Sequence, residues 1–477
     1  MRWKPWFVVL LLVAAPCAAR AADVAFPDTP PGRHAAAFFP AFNAGEAAMR
    51  TFWTEHGSPA SLAQRPVDAR LGVWRDMHGE FGTLTPMRVT QATAELVEVE
   101  ARAGSGSTIR IGFMCDATGL IGLHIEDDGA GGPGPPPDTG PPPTDAQIVA
   151  ALGAELDSLA KAGEFSGVAM LDKDGTTLFA KACGPASRAT NAPNTVDTRF
   201  NLGSINKAFT STAIAQLVQG GKLKLEDPIA KYLPDYPRKN GDRITIRMLL
   251  DHRGGVPDVL NNPDLWKDPE HVRTLADWYA LVKPMPLDFE PGTKQQYSNG
   301  GYVLLGAVIA KVSGEDYYDY IRKHVYAPAG MTRSDHYAID DQVDNVASAF
   351  TRHLTDVPGA TAGPDGRAEM RGGHRLGRGS PAGGGYSTAA DLVKFAQARR
   401  TGVLPAGSLG LDMGIAGGSP GVNALLETSG VYTLVVLSNF DPPAAERFAR
   451  TAGRMVRRAG GGAMPQGTIV RVGGGSH

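Results

Sequence analysis

The hydrophobic pattern opens with a continuous apolar run, Phe7 to Ala15, preceded by Arg2 and Lys4 and followed by Ala19-Arg20-Ala21. The run falls far short of the ~20 residues a spanning helix needs, and small residues stand where a signal peptidase reads them. A cleaved signal peptide over residues 1–21 is expected, hence a periplasmic or secreted protein with no transmembrane anchor after cleavage. Pro16 precedes Cys17 where a lipoprotein peptidase wants a small residue, which argues against a lipid anchor. Farther on, Ala36 to Phe39, Phe42, Ala47-Ala48 and Phe52 recur at helical spacing, and Leu71, Val73 and Trp74 predict another helix. From about Met87 the pattern changes to alternation through Val89, Val97 and Val99, then Ile109, Ile111 and Phe113, then Leu120, Leu123 and Ile125. Gly104-Ser105-Gly106 and Ala117-Thr118-Gly119 supply the turns.

Helices followed by an antiparallel meander predict a small α+β domain over residues 23–126. In element order alone it resembles the NTF2-like domains. It carries no catalytic constellation, so binding or positioning is its expected role. Residues 127–143 then run Asp-Asp-Gly-Ala-Gly-Gly-Pro-Gly-Pro-Pro-Pro-Asp-Thr-Gly-Pro-Pro-Pro, a composition suited to an extended spacer and not to a core.

The second module is expected over residues 144–458, with an unpatterned tail at 459–477. Thr144-Asp145-Ala146-Gln147 reads as a capping box ahead of a helix bearing Ile148, Leu152, Leu156 and Leu159 on one face. Strands are predicted at Ser166–Leu171 and Thr177–Ala182, joined through Asp172 to Gly175, and again at Val422–Leu426 and Val431–Leu437. A last helix starts at Pro443 and ends near Arg458 with basic residues in its final turn. Strands at both ends and helices between them predict an α/β sandwich, an antiparallel sheet flanked by helices, with an all-helical insert.

Composition supports this division. At ~150 residues per domain, 477 residues suggest two or three units. Hydrophobic residues make up 42% and charged residues 20%, enough for globular cores, and the net charge of −2 leaves no electrostatic footprint for nucleic acid or anionic membrane. The chain has 59 glycines and 36 prolines, many more than a globular average, and the spacer accounts for part of them. Cys115 and Cys183 fall on opposite sides of that spacer, so two buried free thiols are expected rather than a disulfide. Neither CxxC nor HExxH occurs, so no metal and no cofactor are expected.

Chemistry concentrates at Asn201-Leu202-Gly203-Ser204-Ile205-Asn206-Lys207. Gly203 breaks a strand-like run, Thr198 to Leu202, and Ile205, Phe209, Ala213 and Leu217 mark an apolar helix face. Ser204 therefore stands at a helix start, where the macrodipole favours a developing alkoxide and the serine N–H can serve as an oxyanion donor. Lys207, three residues on, shares its face and acts as the base or holds the network that does. Ser158-Leu159-Ala160-Lys161 repeats the spacing well inside a capped helix and reads as solvated surface. A second motif, Tyr297-Ser298-Asn299 in a Gly-rich turn ahead of the helix Val303–Val312, offers further groups. Tyr297, with its pKa lowered by a nearby cation, shuttles the proton, and Asn299 either donates to a substrate carbonyl or accepts from Lys207.

Ser204-x-x-Lys207, Tyr297-Ser298-Asn299, Leu249 to Pro257 and Gly379 to Thr388 together resemble the serine hydrolases related to class C β-lactamases, D-alanyl-D-alanine carboxypeptidases and the esterases built on that fold. The resemblance spans about Asp145 to Arg458. It implies acyl transfer through Ser204, with Lys207 and Tyr297 as the catalytic base system and His252 in a structural role. The family's third motif, Lys-Thr-Gly or His-x-Gly on a sheet strand, corresponds to Gly414 to Asn423, with Ile415 at the cation position and Ala416 at the hydroxyl position. The glycines remain, so Gly418 N–H is a second expected oxyanion donor, but a grip on a substrate carboxylate is lost. The stretch from Leu404 to Ile415 is short for the family, and an adjoining strand is expected to be missing. The expected activity is that of an esterase or amidase-like hydrolase with weak or no β-lactamase activity, on a small-molecule ester, amide or peptide, cell-wall material included. The alternative is a catalytically impaired penicillin-binding-protein-like module that binds peptidoglycan or peptide.

Overall fold

The computed structural model describes residues 24–64, 66–104, 108–126, 141–354, 361–370, 376–407 and 414–460. The expected signal segment, most of the Pro/Gly spacer and the tail after Gly460 lie outside the described residues. The chain divides into two compact units, Met1–Gly140 and Pro141–His477.

In the first unit, Thr29 caps the helix Pro30–Ala44 by accepting from Gly32 N, with prolines in the opening turn, where no intrahelical donor is needed. The helical pattern read from Ala36 to Phe52 is in fact two helices, Pro30–Ala44 and Glu46–His56, because Gly45 adopts φ 108° between them. The helix expected around Trp74 spans Val67–Phe81, and a short helix at Pro59–Gln64 had no periodic signal. Four antiparallel strands follow in sequential order: Leu84–Ala92, Leu96–Ala103, Thr108–Asp116 and Gly119–Glu126. Val97 pairs with Phe113 and Val99 with Ile111, so the apolar set faces the helices. Phe38, Phe42, Phe52 and Phe113 meet there, the Phe38 and Phe113 rings 5.3 Å apart edge to face. Each buried ring contributes about 1.5–3 kcal/mol by leaving water.

The second unit is built on a five-stranded antiparallel sheet in the order Gly414–Ser419, Val422–Ser429, Tyr432–Ser438, Gly167–Lys173, Thr176–Cys183. One face packs against the helices Asp145–Lys161 and Ala444–Gly460: Ala169, Leu171, Leu425, Leu434 and Val436 meet Ile148, Leu152, Phe448 and Val456. The other face, with Val168, Met170, Ala424, Leu426, Val435 and Leu437, meets Phe209, Leu305 and Phe395 of the helical region. Both faces are covered, which is why Val422–Leu426 and Val431–Leu437 read as apolar runs rather than clean alternation. The α/β sandwich with its helical insert is therefore what forms. Thr144 and Gln147 make the reciprocal capping box, and Asp174 (φ 47°) and Gly175 (φ 91°) turn the first hairpin.

Thr198–Leu202 is a strand only at Phe200–Asn201, paired with Tyr386–Ser387, and Gly414–Ser419 is a full strand. Residues 408–413, where an adjoining strand was expected to be missing, lie outside the described residues. Cys115 and Cys183 are free thiols in separate units, Cys115 buried and Cys183 half-buried instead of buried. Among the described residues, no helix is long and apolar enough to cross a membrane.

Candidate active site

Gly203 takes φ 50°, and a Cβ there would lie 2.9 Å from Gly418 N. At Gly417 a Cβ would lie 2.1 Å from Leu202 O and 2.7 Å from Ser204 N. Glycine at both positions lets the sheet-edge strand press backbone to backbone against the turn that carries the serine. Ser204 sits in a 3₁₀ turn, Gly203–Ile205, which runs directly into the helix Asn206–Gln219. That helix is not one-sided as its apolar spacing suggested. Asn206, Lys207, Thr210, Ser211 and Thr212 are as buried as Phe209 and Ala213.

Those buried polar side chains have specific partners. Lys207 Nζ donates to Ser204 Oγ at 3.0 Å, to Asn299 Oδ1 at 2.7 Å and to the Ala382 carbonyl at 2.7 Å. Ser204 Oγ also lies 2.6 Å from the Tyr297 hydroxyl, which reaches Asn299 Oδ1 at 3.3 Å. The segment Gly379–Ala382 is held carbonyl by carbonyl: Tyr318 donates to Gly379 at 2.8 Å, Asn206 to Ser380 at 3.2 Å, Thr210 to Pro381 at 2.7 Å and Lys207 to Ala382. A buried carbonyl without a donor costs about 1–3 kcal/mol, so these contacts hold the loop in one position against the helix.

Tyr297 and Asn299 arrive on one structural joint. Ser298 caps the helix Asn299–Ser313 by accepting from Gly301 N, so Asn299 is its first residue and not part of a preceding turn. Gly300 and Gly301 lie inside the helix and face the Leu249–Pro257 segment, where a Cβ on Gly300 would stand 2.3 Å from Pro257 O. Asn299 Nδ2 donates to both oxygens of Asp258, at 3.0 and 2.9 Å. Asp258 was missed in the sequence, although it directly follows Pro257.

Burial sets the protonation states. Removing Lys207 from water lowers its pKa to about 7, against a weaker opposing pull from Asp258. Burial pushes Tyr297 above the ordinary phenol range, outweighing its bond with Ser204. The lowered tyrosine pKa expected from the sequence is therefore overturned: desolvation dominates, and the neighbouring lysine is itself inclined to be neutral. Burial likewise lowers His252 to about 4. Its ring lies tilted against those of Tyr297 and Tyr302 with centroids 4.7 and 5.2 Å away, and its Nδ1 accepts from Ser298 N at 3.2 Å. His252 is a neutral packing and positioning group.

Ile415 pairs with Leu426 and packs against the helical core, while Ala416 is buried on the opposite sheet face with Leu425 and Phe448, so hydrocarbon stands at the position where the motif calls for a cation. Gly418 follows on the same strand, beside the Gly203–Ser204 turn. Ser158 and Lys161 are both exposed on the helix Asp145–Lys161. Among the described residues, no group of three or more His, Cys, Asp or Glu side chains is placed to hold a metal ion.

A family model for Beta-lactamase matches residues 147–475. The chain belongs to the Beta-lactamase family. Members of this serine β-lactamase-fold family are serine hydrolases, among them carboxypeptidases, amidases and esterases. Penicillin-binding protein 4* of Bacillus subtilis (strain 168) is 32% identical over 197 residues, 38% of this chain and 43% of that protein. A D-aminopeptidase of Brucella anthropi is 31% identical over 171 residues, 35% of this chain and 32% of that protein. The chain thus spans less than half the length of these curated relatives. The crystal structure of a penicillin binding protein from Bacillus halodurans superposes with a TM-score of 0.54 at 28% identity, over 63% of this chain and 99% of that one. The β-lactamase-family fold is thereby established for the second unit.

Proposed function

We propose that this protein is an exported serine hydrolase that forms an acyl-enzyme on Ser204 and acts on esters or neutral amides, with little or no β-lactamase activity. The contact set of Lys207 carries the reading: a buried amine, inclined to be neutral near pH 7, hydrogen-bonded to the serine oxygen at 3.0 Å. Lys207 takes the Ser204 proton as Oγ forms a bond to the acyl carbon. The carbonyl oxygen becomes an oxyanion that the Ser204 and Gly418 N–H groups stabilise. Collapse breaks the bond to the leaving oxygen or nitrogen, which takes the proton back from the Lys207 ammonium, directly or across the Tyr297 hydroxyl. Water then releases the acyl group by the same steps in reverse roles.

Hydrocarbon at Ile415 and Ala416 supports substrates without a carboxylate near the scissile bond, because neither side chain can make a charge-assisted contact. The penicillin-binding and D-aminopeptidase relatives make cell-wall peptides and D-amino acid derivatives the substrates to try beside simple esters. The test is labelling with a fluorophosphonate followed by peptide mass mapping, then a panel of p-nitrophenyl esters, D-amino acid amides and a cephalosporin. Modification of Ser204 with ester turnover is the expected result. Absence of labelling under all conditions supports the second reading, an impaired peptide- or peptidoglycan-binding module, whose support is the altered third motif. Efficient cephalosporin turnover through Ser204 contradicts the narrower substrate claim. Export is tested separately: N-terminal sequencing of the mature chain should begin just after Ala21.

A further inference from the structure

We propose that Asp258 is a positioning residue that fixes which end of the Asn299 amide faces Lys207, and so aims the lysine's lone pair at Ser204. This rests on the hydrolase reading of the site. A carboxylate only accepts, so two contacts of 3.0 and 2.9 Å oblige Asn299 to turn its Nδ2 toward Asp258. Asn299 Oδ1 is then presented to Lys207, at 2.7 Å, and it too can only accept.

The Ala382 carbonyl is a second obligate acceptor, 2.7 Å from Nζ. A neutral amine has two N–H bonds and one lone pair. Asn299 Oδ1 and Ala382 O use both N–H bonds, so loss of the third ammonium proton, the one donated to Ser204 Oγ at 3.0 Å, leaves the lone pair aimed at that oxygen. A turned amide would present Nδ2 to Lys207 and draw the lone pair away from the serine. Asp258 thus acts through Asn299 and touches no reacting atom.

The groups facing Lys207 are Ser204 and Ala382, the rings of Tyr297 and Tyr302 with centroids 4.7 and 5.5 Å from Nζ, His252 behind those rings, and Asn299 with Asp258 beyond it. Burial pushes both tyrosines up and His252 down, so neither ring type carries charge near neutral pH. Asp258 is the carboxylate whose field supports the Lys207 ammonium.

Asp258→Asn is a clean probe because Asp258 Oδ1 also caps Leu260 N at 3.0 Å, a contact asparagine retains. The variant should lower kcat for the best ester by about tenfold to a hundredfold, with KM nearly unchanged. Its acid limb should move to lower pH, since both the lost charge and the turned amide disfavour the ammonium. A second readout is independent of turnover: NMR titration of the Lys207 Cε signal in ¹³C-lysine-labelled full chain, assigned by its loss in Lys207→Ala. A lowered midpoint in Asp258→Asn supports the proposal. An unmoved midpoint, or kcat and acid limb both matching wild type, overturns it. If the wild type never acylates, the hydrolase reading fails while the lysine titration still decides the role of Asp258.

Discussion

The chain carries the same four-residue spacing twice, and the two copies have opposite fates. Ser158 and Lys161 lie in the last turn of the helix Asp145–Lys161, both exposed to water. Ser204 and Lys207 straddle a 3₁₀ turn and the start of a buried helix, with the lysine in contact with three oxygens and two aromatic rings. Spacing places a serine and a lysine on one helix face in both copies. Burial takes Lys207 out of water and lowers its pKa, which the proposed role of base requires. The difference lies in what the rest of the fold packs around each pair.

The largest expected effect breaks the comparison at the nucleophile. Ser204→Ala should abolish fluorophosphonate labelling and lower ester turnover at least about a thousandfold, while Ser158→Ala leaves both intact. Equal labelling of Ser204→Ala and wild type would place the reactive serine elsewhere. At the next level, Lys207→Met should slow acylation by about 10²–10⁴-fold, and Lys161→Met should do nothing measurable.

The same lysine should leave a mark on stability. Its folded pKa is about 7, against an ordinary 10.5, so between these values the unfolded chain binds more protons than the folded one. Wild-type stability from this group therefore rises with pH across that window, reaches its full value above pH 10.5 and is lost as pH falls to 7. Thermal melts of wild type and Lys207→Met from pH 6 to 10 should diverge in favour of wild type as pH rises. Parallel curves would mean that the lysine is not held neutral. Wild-type acylation should likewise climb through an acid limb near pH 7, which His252, lowered to about 4, cannot produce.

The smallest effect concerns the third motif. Ile415→Lys should raise kcat/KM for a carboxylate-bearing ester over its neutral analogue by about threefold to tenfold. A ratio that stays put would show that position 415 does not face substrate.

Much of the site was legible because its residues occur in short motifs with local placement: Ser204 after a glycine, Lys207 one helical turn on, Tyr297 and Asn299 flanking a helix cap. Asp258 carried no such signal. An aspartate after Pro257 reads equally well as a turn former, and it does cap Leu260 N. Its contact with Asn299 spans 41 residues. The tyrosine's acidity was misjudged for a related reason: the sequence shows a lysine near Tyr297 but not how little water surrounds either. In the first unit the break at Gly45 was hidden, since one apolar face runs through both helices.

By itself, the amino-acid sequence determined the two modules, the sandwich order of strands and helices, and the identity of the serine, lysine, tyrosine and asparagine. Each depends on periodicity or on neighbours a few residues apart, which local backbone geometry reads directly. Tertiary structure alone decided which end of the Asn299 amide meets the lysine and how far each pKa moves. Those depend on desolvation and on contacts between residues distant in the chain, and both arise only when the sheet, the buried helix and the Gly379–Ala382 loop close around Lys207.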